Sequence, residues 1–205
     1  GDEGRDYLDR MLNASIRMQT LIDNLLTLSR VTMKAEPFTT IDLSRVAQEV
    51  LSDLEAQIEQ TKARVEVDPL PTIEADPLQM RQLLQNLLSN ALKFHRPQET
   101  PLVKIFSQSA AETRVIPGRG AQAMVDIIVQ DNGIGFDEKY LDQLFLPFQR
   151  LHGRSEYAGT GVGLAICYRV VGRHGGHITA RSTPGQGATF IATLPMRHTE
   201  EMSAL

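Results

Sequence analysis

The chain has 205 residues, a net charge of −4 and 41% hydrophobic residues, which suits one globular domain with an appended helix rather than a disordered polyelectrolyte. No run of Lys or Arg is longer than two, which argues against a nucleic-acid-binding surface. A single cysteine, Cys167, excludes a disulfide framework and a cysteine zinc site, and no apolar run approaches the roughly 18 residues of a membrane span. We therefore expect a cytoplasmic segment with no membrane contact of its own. Its abrupt start suggests that the chain is a piece of a larger protein, and that larger protein could carry a membrane anchor upstream.

A heptad pattern predicts one long helix over residues 7–31. The seam residues follow spacings of four and three: Tyr7, Met11, Ala14, Met18, Leu21, Leu25 and Leu28. So narrow an apolar stripe suits helix-on-helix packing, and we expect a homodimer through this helix; a helix packed on its own domain is the alternative. Because Pro37 forbids continued helix, we divide the chain into a helical segment 1–36, a domain 37–197 and a tail 198–205.

Helices and strands alternate through the rest of the chain. The predicted elements are a helix from its cap Asp42 to Ile58, strands 64–68 and 72–75, a helix from Asp76-Pro77 to about His95, paired strands 102–108 and 124–131, a short helix 138–144, a helix 161–174 and a closing hairpin of strands 177–183 and 188–195. This order predicts a domain that combines helices with antiparallel hairpins.

Three glycines mark the start of the 161–174 helix, in the stretch AGTGVGLAI. Gly159, Gly161 and Gly163 precede or open a helix whose first backbone N–H groups are unpaired and carry partial positive charge. Glycine lets phosphate oxygens come close to such groups, so an anion site is one interpretation and a flexible connection is the other. The stretch is neither a Walker loop, since no Gly-Lys-Ser/Thr follows, nor a dinucleotide fingerprint, since no strand immediately precedes it.

A second motif, NLLSNALKF, places polar side chains on one ridge of a helix. At 100° per residue, Asn86, Asn90 and Lys93 fall within about 60° of one another. Amide oxygens can ligate Mg²⁺ and the ammonium can meet phosphate, whereas the alternative is a solvated outer face. Phe94 borders the ridge, where it either covers an aromatic base or joins the core.

A third motif, DNGIGF, directly follows a predicted strand. Asp131 ends that strand, and Gly133 and Gly135 permit a tight turn that a ligand can approach closely. The carboxylate there can accept a hydrogen bond from an exocyclic amine such as N6 of adenine. An Asp-Asn-Gly turn with no ligand is the alternative.

In this order and spacing, the three motifs resemble the ATP-binding domain of sensor histidine kinases, within the wider gyrase, chaperone and mismatch-repair ATPase superfamily. FLPFQRL (145–151) looks like the phenylalanine-rich box of that family, and GQGATF (185–190) looks like its last glycine motif. The resemblance covers about residues 38–196, and the helix before it is similar to the second helix of the dimerisation and phosphoacceptor hairpin. It implies an α+β fold of the Bergerat type, a two-layer sandwich with a mixed, mostly antiparallel sheet and helices on one face, preceded by a long N-terminal helix.

The resemblance also implies ATP and Mg²⁺ as ligands, with a role for each motif. Asp131 would bind the adenine amine, with Thr189 helping through a water molecule. Asn90 would ligate Mg²⁺ and Asn86 would lie at or near the metal and the phosphates. Lys93 would contact phosphate, Phe94 would lie against adenine, and Gly133 and Gly135 would shape the turn.

The remaining implied roles concern the lid and the phosphate end of the site. Residues 152–158 would form a mobile lid, and Arg150 would contact phosphate or anchor that lid. The phosphate end would be lined by Gly159, Thr160, Gly161, Val162, Gly163 and Leu164.

One position separates the branches of this superfamily. Its ATP-hydrolysing members carry a glutamate four residues before the metal asparagine, whereas this chain carries Asn86, and an amide is no general base. We therefore expect an enzyme, a protein histidine kinase, that holds ATP without efficient hydrolysis and presents the γ-phosphate to a protein nucleophile. A chaperone or DNA-remodelling ATPase is disfavoured by Asn86 and by the chain length.

The acceptor histidine is expected outside this chain. None of its histidines stands in the family's acceptor setting on a first hairpin helix: His95, His152, His174, His177 and His198. The resemblance implies a response regulator receiver domain as a further partner. A serine-directed kinase of the anti-sigma type and a non-catalytic ATP-sensing module remain the alternative functions.

Overall fold

The computed structural model describes residues 36–110, 114–116, 120–151, 157 and 159–197, and, in the N-terminal segment, residues 4–8, 11, 12, 14–16, 18, 19, 22 and 26. The described residues of that segment are helical, and the large apolar side chains among them, such as Tyr7 and Met11, are exposed. The rest of the predicted 7–31 helix, including Leu21, Leu25 and Leu28, lies outside the described residues, as does the tail 198–205. The predicted dimer seam therefore stays a prediction.

The elements follow one another in this order: β1 Thr39–Asp42, α1 Leu43–Asp53, α2 Glu55–Thr61, β2 Arg64–Val67, β3 Thr72–Ala75, α3 Pro77–Lys93, β4 Leu102–Ser109, β5 Arg114–Ile116, β6 Gly120–Gln122, β7 Met124–Asp131, a 3₁₀ turn Glu138–Tyr140, α4 Leu141–Leu144, α5 Gly163–Arg173, β8 His177–Ser182 and β9 Ala188–Pro195. Of the helices that the structure describes, none has both the length and the apolar composition needed to span a membrane.

A five-stranded sheet with the order β2-β4-β7-β9-β8 forms one layer of the domain. Strand β2 pairs with β4 in parallel, and the other neighbours in this sheet are antiparallel. Alternate residues of β7, namely Val125, Ile127 and Val129, join the core that α1, α3 and α5 cover, as the period of two of a strand requires. The predicted α+β architecture of a mixed, mostly antiparallel sheet under helices is confirmed.

Both predicted helix caps are present. The carboxylate of Asp42 accepts a hydrogen bond from the backbone N–H of Ser44 at the start of α1. Asp76 does the same for Gln79 at the start of α3, where Pro77 occupies the first turn. These caps fix where α1 and α3 begin and therefore which face of each helix enters the core.

The structure differs from the sequence prediction at three places. The predicted helix from Asp42 to Ile58 is interrupted at Leu54, which is buried between α1 and α2. Strand β1 was not predicted; its partner is β3, and such a long-range pairing leaves no local signal. The loop between β4 and β7 carries the additional strand pair β5–β6. The first two differences lie outside the five-stranded sheet.

Replacing Gly172 with alanine should stabilise the fold by about 0.5–1 kcal/mol, because glycine inside a helix is conformationally costly. Gly172 is exposed in α5, and a Cβ there would meet nothing within 4 Å. Urea unfolding followed by circular dichroism measures the change. Gly176→Ala is the contrasting variant, since its Cβ would lie 2.0 Å from the carbonyl oxygen of Thr193 and must destabilise. A Gly172→Ala chain that unfolds more easily than the parent would contradict this account of α5.

Candidate functional site

A cavity of about 250 Å³ opens between α3, the turn after β7, the start of α5 and β9. It is far larger than the roughly 30 Å³ that one water molecule occupies, so it can hold an organic ligand. The predicted site residues that line it are Asn86, Asn90, Lys93, Phe94, Asp131, Gly135, Arg150, Gly159, Thr160, Gly161, Gly163 and Leu164. Residues from four separate stretches of sequence therefore meet at one place.

Asp131, the last residue of β7, lines this cavity. Its Oδ1 accepts hydrogen bonds from the backbone N–H groups of Gly133, at 2.8 Å, and Ala188, at 3.2 Å. Burial raises the pKa of the Asp131 carboxyl above its usual value, and the two backbone hydrogen bonds partly oppose that rise. Oδ2 has no hydrogen-bond partner among the described residues. The carboxylate is thus held in place through Oδ1, and Oδ2 can accept a further hydrogen bond.

The turn after Asp131 is bonded to the end of α3. The N–H of Ile134 donates to the carbonyl of Phe94 at 2.9 Å, and a Cβ on Gly133 would lie 2.3 Å from that carbonyl oxygen. Gly133 does not line the cavity, unlike Gly135. Its lack of a side chain allows the turn to approach α3, which holds Asp131 and Phe94 in one site.

The predicted ridge on α3 faces the cavity. Asn86, Asn90 and Lys93 all line it, while Leu87 and Leu88 are fully buried behind them. The predicted shared ridge is therefore present, and the solvated-face alternative does not hold.

One amide on this ridge lacks a partner. The Nδ2 of Asn86 is buried and has no hydrogen-bond partner among the described residues; the adjacent thiol of Cys167 is only a weak acceptor. Burial raises the pKa of that thiol to about 12, so it stays protonated. Because Nδ2 is buried beside the core residue Cys167, Asn86 lines the cavity with its other side-chain atoms.

Two cationic side chains stand at the glycine-rich end of the cavity. Burial lowers the pKa of Lys93, and the nearby positive charge of Arg150 lowers it further. Asp131 is the only acidic residue among those that the structure shows lining the cavity. The lysine ammonium lies 4.2 Å from the centre of the Phe94 ring. Two cations near enough for one to lower the pKa of the other favour an anionic ligand.

Arg150 also orders the chain that leads into α5. Its guanidinium donates to the carbonyls of Tyr157, at 2.5 Å, and Gly159, at 2.6 Å. Gly159 has φ +146°, and a Cβ there would lie 2.6 Å from the Nζ of Lys93. Glycine at this position therefore leaves Lys93 room to face the cavity. Apart from Tyr157, the predicted lid 152–158 lies outside the described residues.

Two predicted site residues lie away from the cavity besides Gly133. Thr189 pairs with Gln130 in the sheet, and its neighbours Ala188 and Phe190 line the cavity instead. Because successive strand side chains point to opposite faces, the strand directs Thr189 to the other side. Val162 is fully buried and immediately precedes α5, so it belongs to the core.

The sequence reading missed several residues that line the cavity: Ile134, Phe136, Leu144, Gln149, Leu151, Ala188 and Phe190. Phe136 and Phe190 stand last in the motifs DNGIGF and GQGATF, so their motifs carried a signal for them. Leu151 stands last in the phenylalanine-rich box, so its motif also carried a signal. Leu144 precedes the box and offered none, because only the tertiary fold brings it to the cavity.

No metal cluster of His, Cys, Asp or Glu occurs among the residues that the structure describes. The described histidines His95, His174 and His177 do not line the cavity, and His152 and His198 lie outside the described residues. The predicted metal ligands Asn86 and Asn90 both bring amide side chains to the cavity, and a ligand itself would bring further oxygens.

The family model for histidine kinase-, DNA gyrase B-, and HSP90-like ATPases matches residues 75–198. The matched span runs from the end of β3 to beyond β9 and contains every residue that lines the cavity.

Relatives extend the similarity toward the N-terminus. Phytochrome-like protein Cph1 of Synechocystis sp. is 36% identical over 195 residues, which are 95% of this chain and 24% of that protein. Cyanobacterial phytochrome A of Nostoc sp. is 41% identical over 182 residues, 87% of this chain and 22% of that protein. The circadian input-output histidine kinase CikA of Synechococcus elongatus is 34% identical over 203 residues, 93% of this chain and 25% of that protein. The chain thus spans about a quarter of the length of these relatives.

Solved structures share the fold. The crystal structure of full-length ShkA in complex with AMPPNP matches with a TM-score of 0.71 and 24% identity, covering 95% of this chain and 39% of that chain. The catalytic domain of histidine kinase ThkA, in a nucleotide-free form, matches with a TM-score of 0.62 and 25% identity, covering 80% of this chain and all of that domain. None of these relatives and structures supports a serine-directed kinase.

Proposed function

Because the chain belongs to the histidine kinase-, DNA gyrase B-, and HSP90-like ATPase family, we propose that its cavity binds ATP for transfer of the γ-phosphate to a histidine outside this chain. The observation that carries the proposal is the polarity of the cavity. The cavity is lined by a carboxylate with one unpartnered oxygen, on Asp131, and by the cations of Lys93 and Arg150. Adenine presents an amine donor and the triphosphate presents negative charge, so ATP carries a partner for each of these groups.

The base of ATP would lie between Asp131 and apolar walls. Oδ2 of Asp131 would accept the hydrogen bond from the adenine amine, and Phe94, Phe136 and Phe190 would enclose the ring faces. A contact of Thr189 with adenine through water stays a prediction, and the orientation of β9 does not favour it.

The phosphates would lie between α3 and the start of α5. Lys93 would donate to phosphate oxygens, and the first N–H groups of α5 would add partial positive charge. Asn90, with Asn86 beside it, would hold Mg²⁺ through amide oxygens. The chemistry that Mg²⁺ supplies there is neutralisation of phosphate charge.

We expect phosphate transfer rather than ATP hydrolysis because α3 has no carboxylate that could activate water. Asn86 stands where a water-activating carboxylate would be needed, and an amide cannot take a proton from water at neutral pH. An imidazole nitrogen of the acceptor would instead form a bond to the γ-phosphorus as the bond to the β–γ bridging oxygen breaks and ADP leaves. This chain contributes alignment of the triphosphate and stabilisation of its charge.

The partners follow from the same proposal. A homodimer through the N-terminal helix would bring the domain to an acceptor histidine, and a response regulator receiver domain would take the phosphate onward. The relatives support both in general terms, since they include the autoinducer 2 sensor kinase/phosphatase LuxQ of Vibrio harveyi, 28% identical over 214 residues. We propose a cytoplasmic location for this part of the protein, where ATP is available.

Labelled ATP tests the proposal in three steps. Titration calorimetry should show Mg²⁺-dependent ATP binding to the 205-residue chain, and a phosphate-release assay should show almost no hydrolysis. A chain extended upstream by a hairpin that carries an acceptor histidine should become labelled, whereas the 205-residue chain alone should not. Well-bound ATP beside an unlabelled acceptor would overturn the transfer proposal and favour a non-catalytic ATP-sensing module.

Lys93→Met should weaken ATP binding by about tenfold to a hundredfold, since a hydrogen bond to a charged group contributes about 1.5–3 kcal/mol. The change removes the charge while keeping the length of the side chain. AMP, which lacks the β- and γ-phosphates, serves as the control ligand and should lose less affinity. Because the pKa of Lys93 is lowered, its ammonium loses its proton at a lower pH than an ordinary lysine does. As pH rises, ATP binding to the parent chain should therefore begin to weaken earlier than it would with a lysine of ordinary pKa. Equal losses for ATP and AMP, measured by calorimetry, would show that Lys93 does not serve the terminal phosphates.

A further inference from the structure

A second polar cluster lies where α3 begins and α5 ends, and none of its residues lines the cavity. Asp76 is 1% exposed, and its Oδ2 accepts a hydrogen bond from Arg173 at 3.0 Å. His174 is fully buried: its Nε2 accepts the backbone N–H of Asp76 at 3.1 Å, and its Nδ1 donates to the carbonyl of Val170 at 2.7 Å. The end of α5 is thereby bonded to the start of α3.

The segment Glu36–Phe38, which leads into the domain, sits on this cluster. The backbone N–H of Glu36 donates to Oδ2 of Asp76 at 2.9 Å, and its carbonyl accepts from Arg173 at 3.0 Å. The Phe38 ring lies 4.7 Å from the guanidinium carbon of Arg173 and 4.7 Å from the ring of His174. The ends of α3 and α5 thus hold the backbone N–H and carbonyl of Glu36 and the ring of Phe38.

The same two helices form the phosphate end of the cavity. Asn86, Asn90 and Lys93 belong to α3, while Gly163 opens α5, where a Cβ would lie 3.4 Å from Oδ1 of Asn86. Packed helices transmit displacement along their length, so the spacing of α3 and α5 at one end constrains it at the other.

Release of the segment would be a discrete event. Asp76 would keep its bond to Arg173 but lose the one to Glu36, and Arg173 would lose both its backbone acceptor and the ring of Phe38. An undocked arrangement would therefore differ from the observed docked one in the contacts that hold the ends of α3 and α5.

We propose that Asp76, Arg173 and His174 form a docking site for the segment Glu36–Phe38, and that docking of this segment is coupled to nucleotide binding in the cavity. The coupling rests on the proposed ATP site. A docked segment holds the ends of α3 and α5 together, so it favours the helix spacing that the phosphates require. By thermodynamic reciprocity, a bound nucleotide must favour docking by the same factor.

Hydrogen exchange of the Glu36 amide, followed by NMR on the 205-residue chain, tests the coupling. Saturating AMPPNP with Mg²⁺ should slow exchange at Glu36 by about fivefold, the lower range of typical coupling. Phe38→Ala should speed exchange there and weaken AMPPNP binding by a similar factor. Arg173→Lys should do the same, because a lysine keeps the charge but cannot bridge Asp76 and the Glu36 carbonyl as the guanidinium does.

Two further variants separate coupling from a loss of fold. Phe38→Tyr keeps the ring and should restore both the slow exchange and the affinity. Arg181→Ala, an exposed arginine of β8, should change neither. Thermal unfolding identifies any variant that is not folded. AMPPNP that binds without slowing exchange at Glu36 would overturn the coupling alone, as would a Phe38→Ala chain with fast exchange and full affinity. Failure of the parent chain to bind AMPPNP would overturn the ATP site and the coupling together.

Discussion

Asp131→Asn is expected to weaken ATP binding by about tenfold to a hundredfold, because a hydrogen bond to a charged group contributes about 1.5–3 kcal/mol. In the variant, the amide oxygen can still accept from Gly133 and Ala188, which would leave the amide N–H₂ facing the adenine amine. Two donors then face each other, and neither is satisfied. Titration calorimetry with ATP measures the loss, and an affinity within twofold of the parent chain would show that adenine does not bind here.

The same substitution should not destabilise the ligand-free chain. Burial raises the pKa of the Asp131 carboxyl, so the folded state disfavours its charge, and a neutral amide of equal size removes that cost. We expect an unchanged or higher melting temperature beside the lost affinity. A chain that loses both together would indicate a structural role for Asp131 instead.

The raised pKa also predicts how ATP binding depends on pH. As pH falls through the raised pKa, Asp131 gains a proton while a normal aspartate would still be charged. As pH falls, the parent chain should therefore begin to lose ATP affinity at a higher pH than it would if Asp131 had an ordinary pKa. In the asparagine variant, this acid-dependent step should be absent, which calorimetry at a series of pH values can decide.

Gly135→Ala is expected to lower the free energy of unfolding by about 2–5 kcal/mol, the sum of backbone strain and overpacking. Gly135 has φ +61°, a region that a side chain disfavours. Its Cβ would also lie 2.2 Å from the carbonyl oxygen of Thr183 and 2.8 Å from that of Gly187, and both are backbone atoms that cannot turn away. Urea unfolding at equilibrium measures the loss.

Gly185→Ala is the matched control for this change. Gly185 has a similar φ of +78°, but a Cβ there would meet nothing within 4 Å. It should cost only the backbone strain, about 1–2 kcal/mol. The difference between the two variants isolates the collision at Gly135. Equal losses would mean that the turn after Asp131 relaxes away from β8 and β9, contrary to the close packing described here.

Motifs with a local physical cause were predictable from the sequence. The capping residues Asp42 and Asp76 predicted the starts of α1 and α3, because a carboxylate before an apolar helical pattern accepts hydrogen bonds from the unpaired first N–H groups of a helix. The ridge of Asn86, Asn90 and Lys93 followed from helix geometry alone. Each of these features depends on residues only a few positions apart.

Features that depend on distant residues were not predictable in this way. Strand β1 forms because β3 is there to pair with it, and Thr189 leaves the cavity because the register of β9 against β7 places Ala188 and Phe190 on the inner face. The wall at Leu144 likewise depends on how the chain between α4 and α5 folds back.

By itself, the sequence determined the order of the elements, the helix starts and the three polar motifs, since short-range spacing and hydrogen bonding specify them. Only the tertiary structure decided that Asp131 and Lys93 line one cavity, and that Asp76 and His174 bond the far ends of the helices around it. The physical reason is that burial, charge proximity and backbone pairing arise between residues far apart in the chain, and folding alone brings them together.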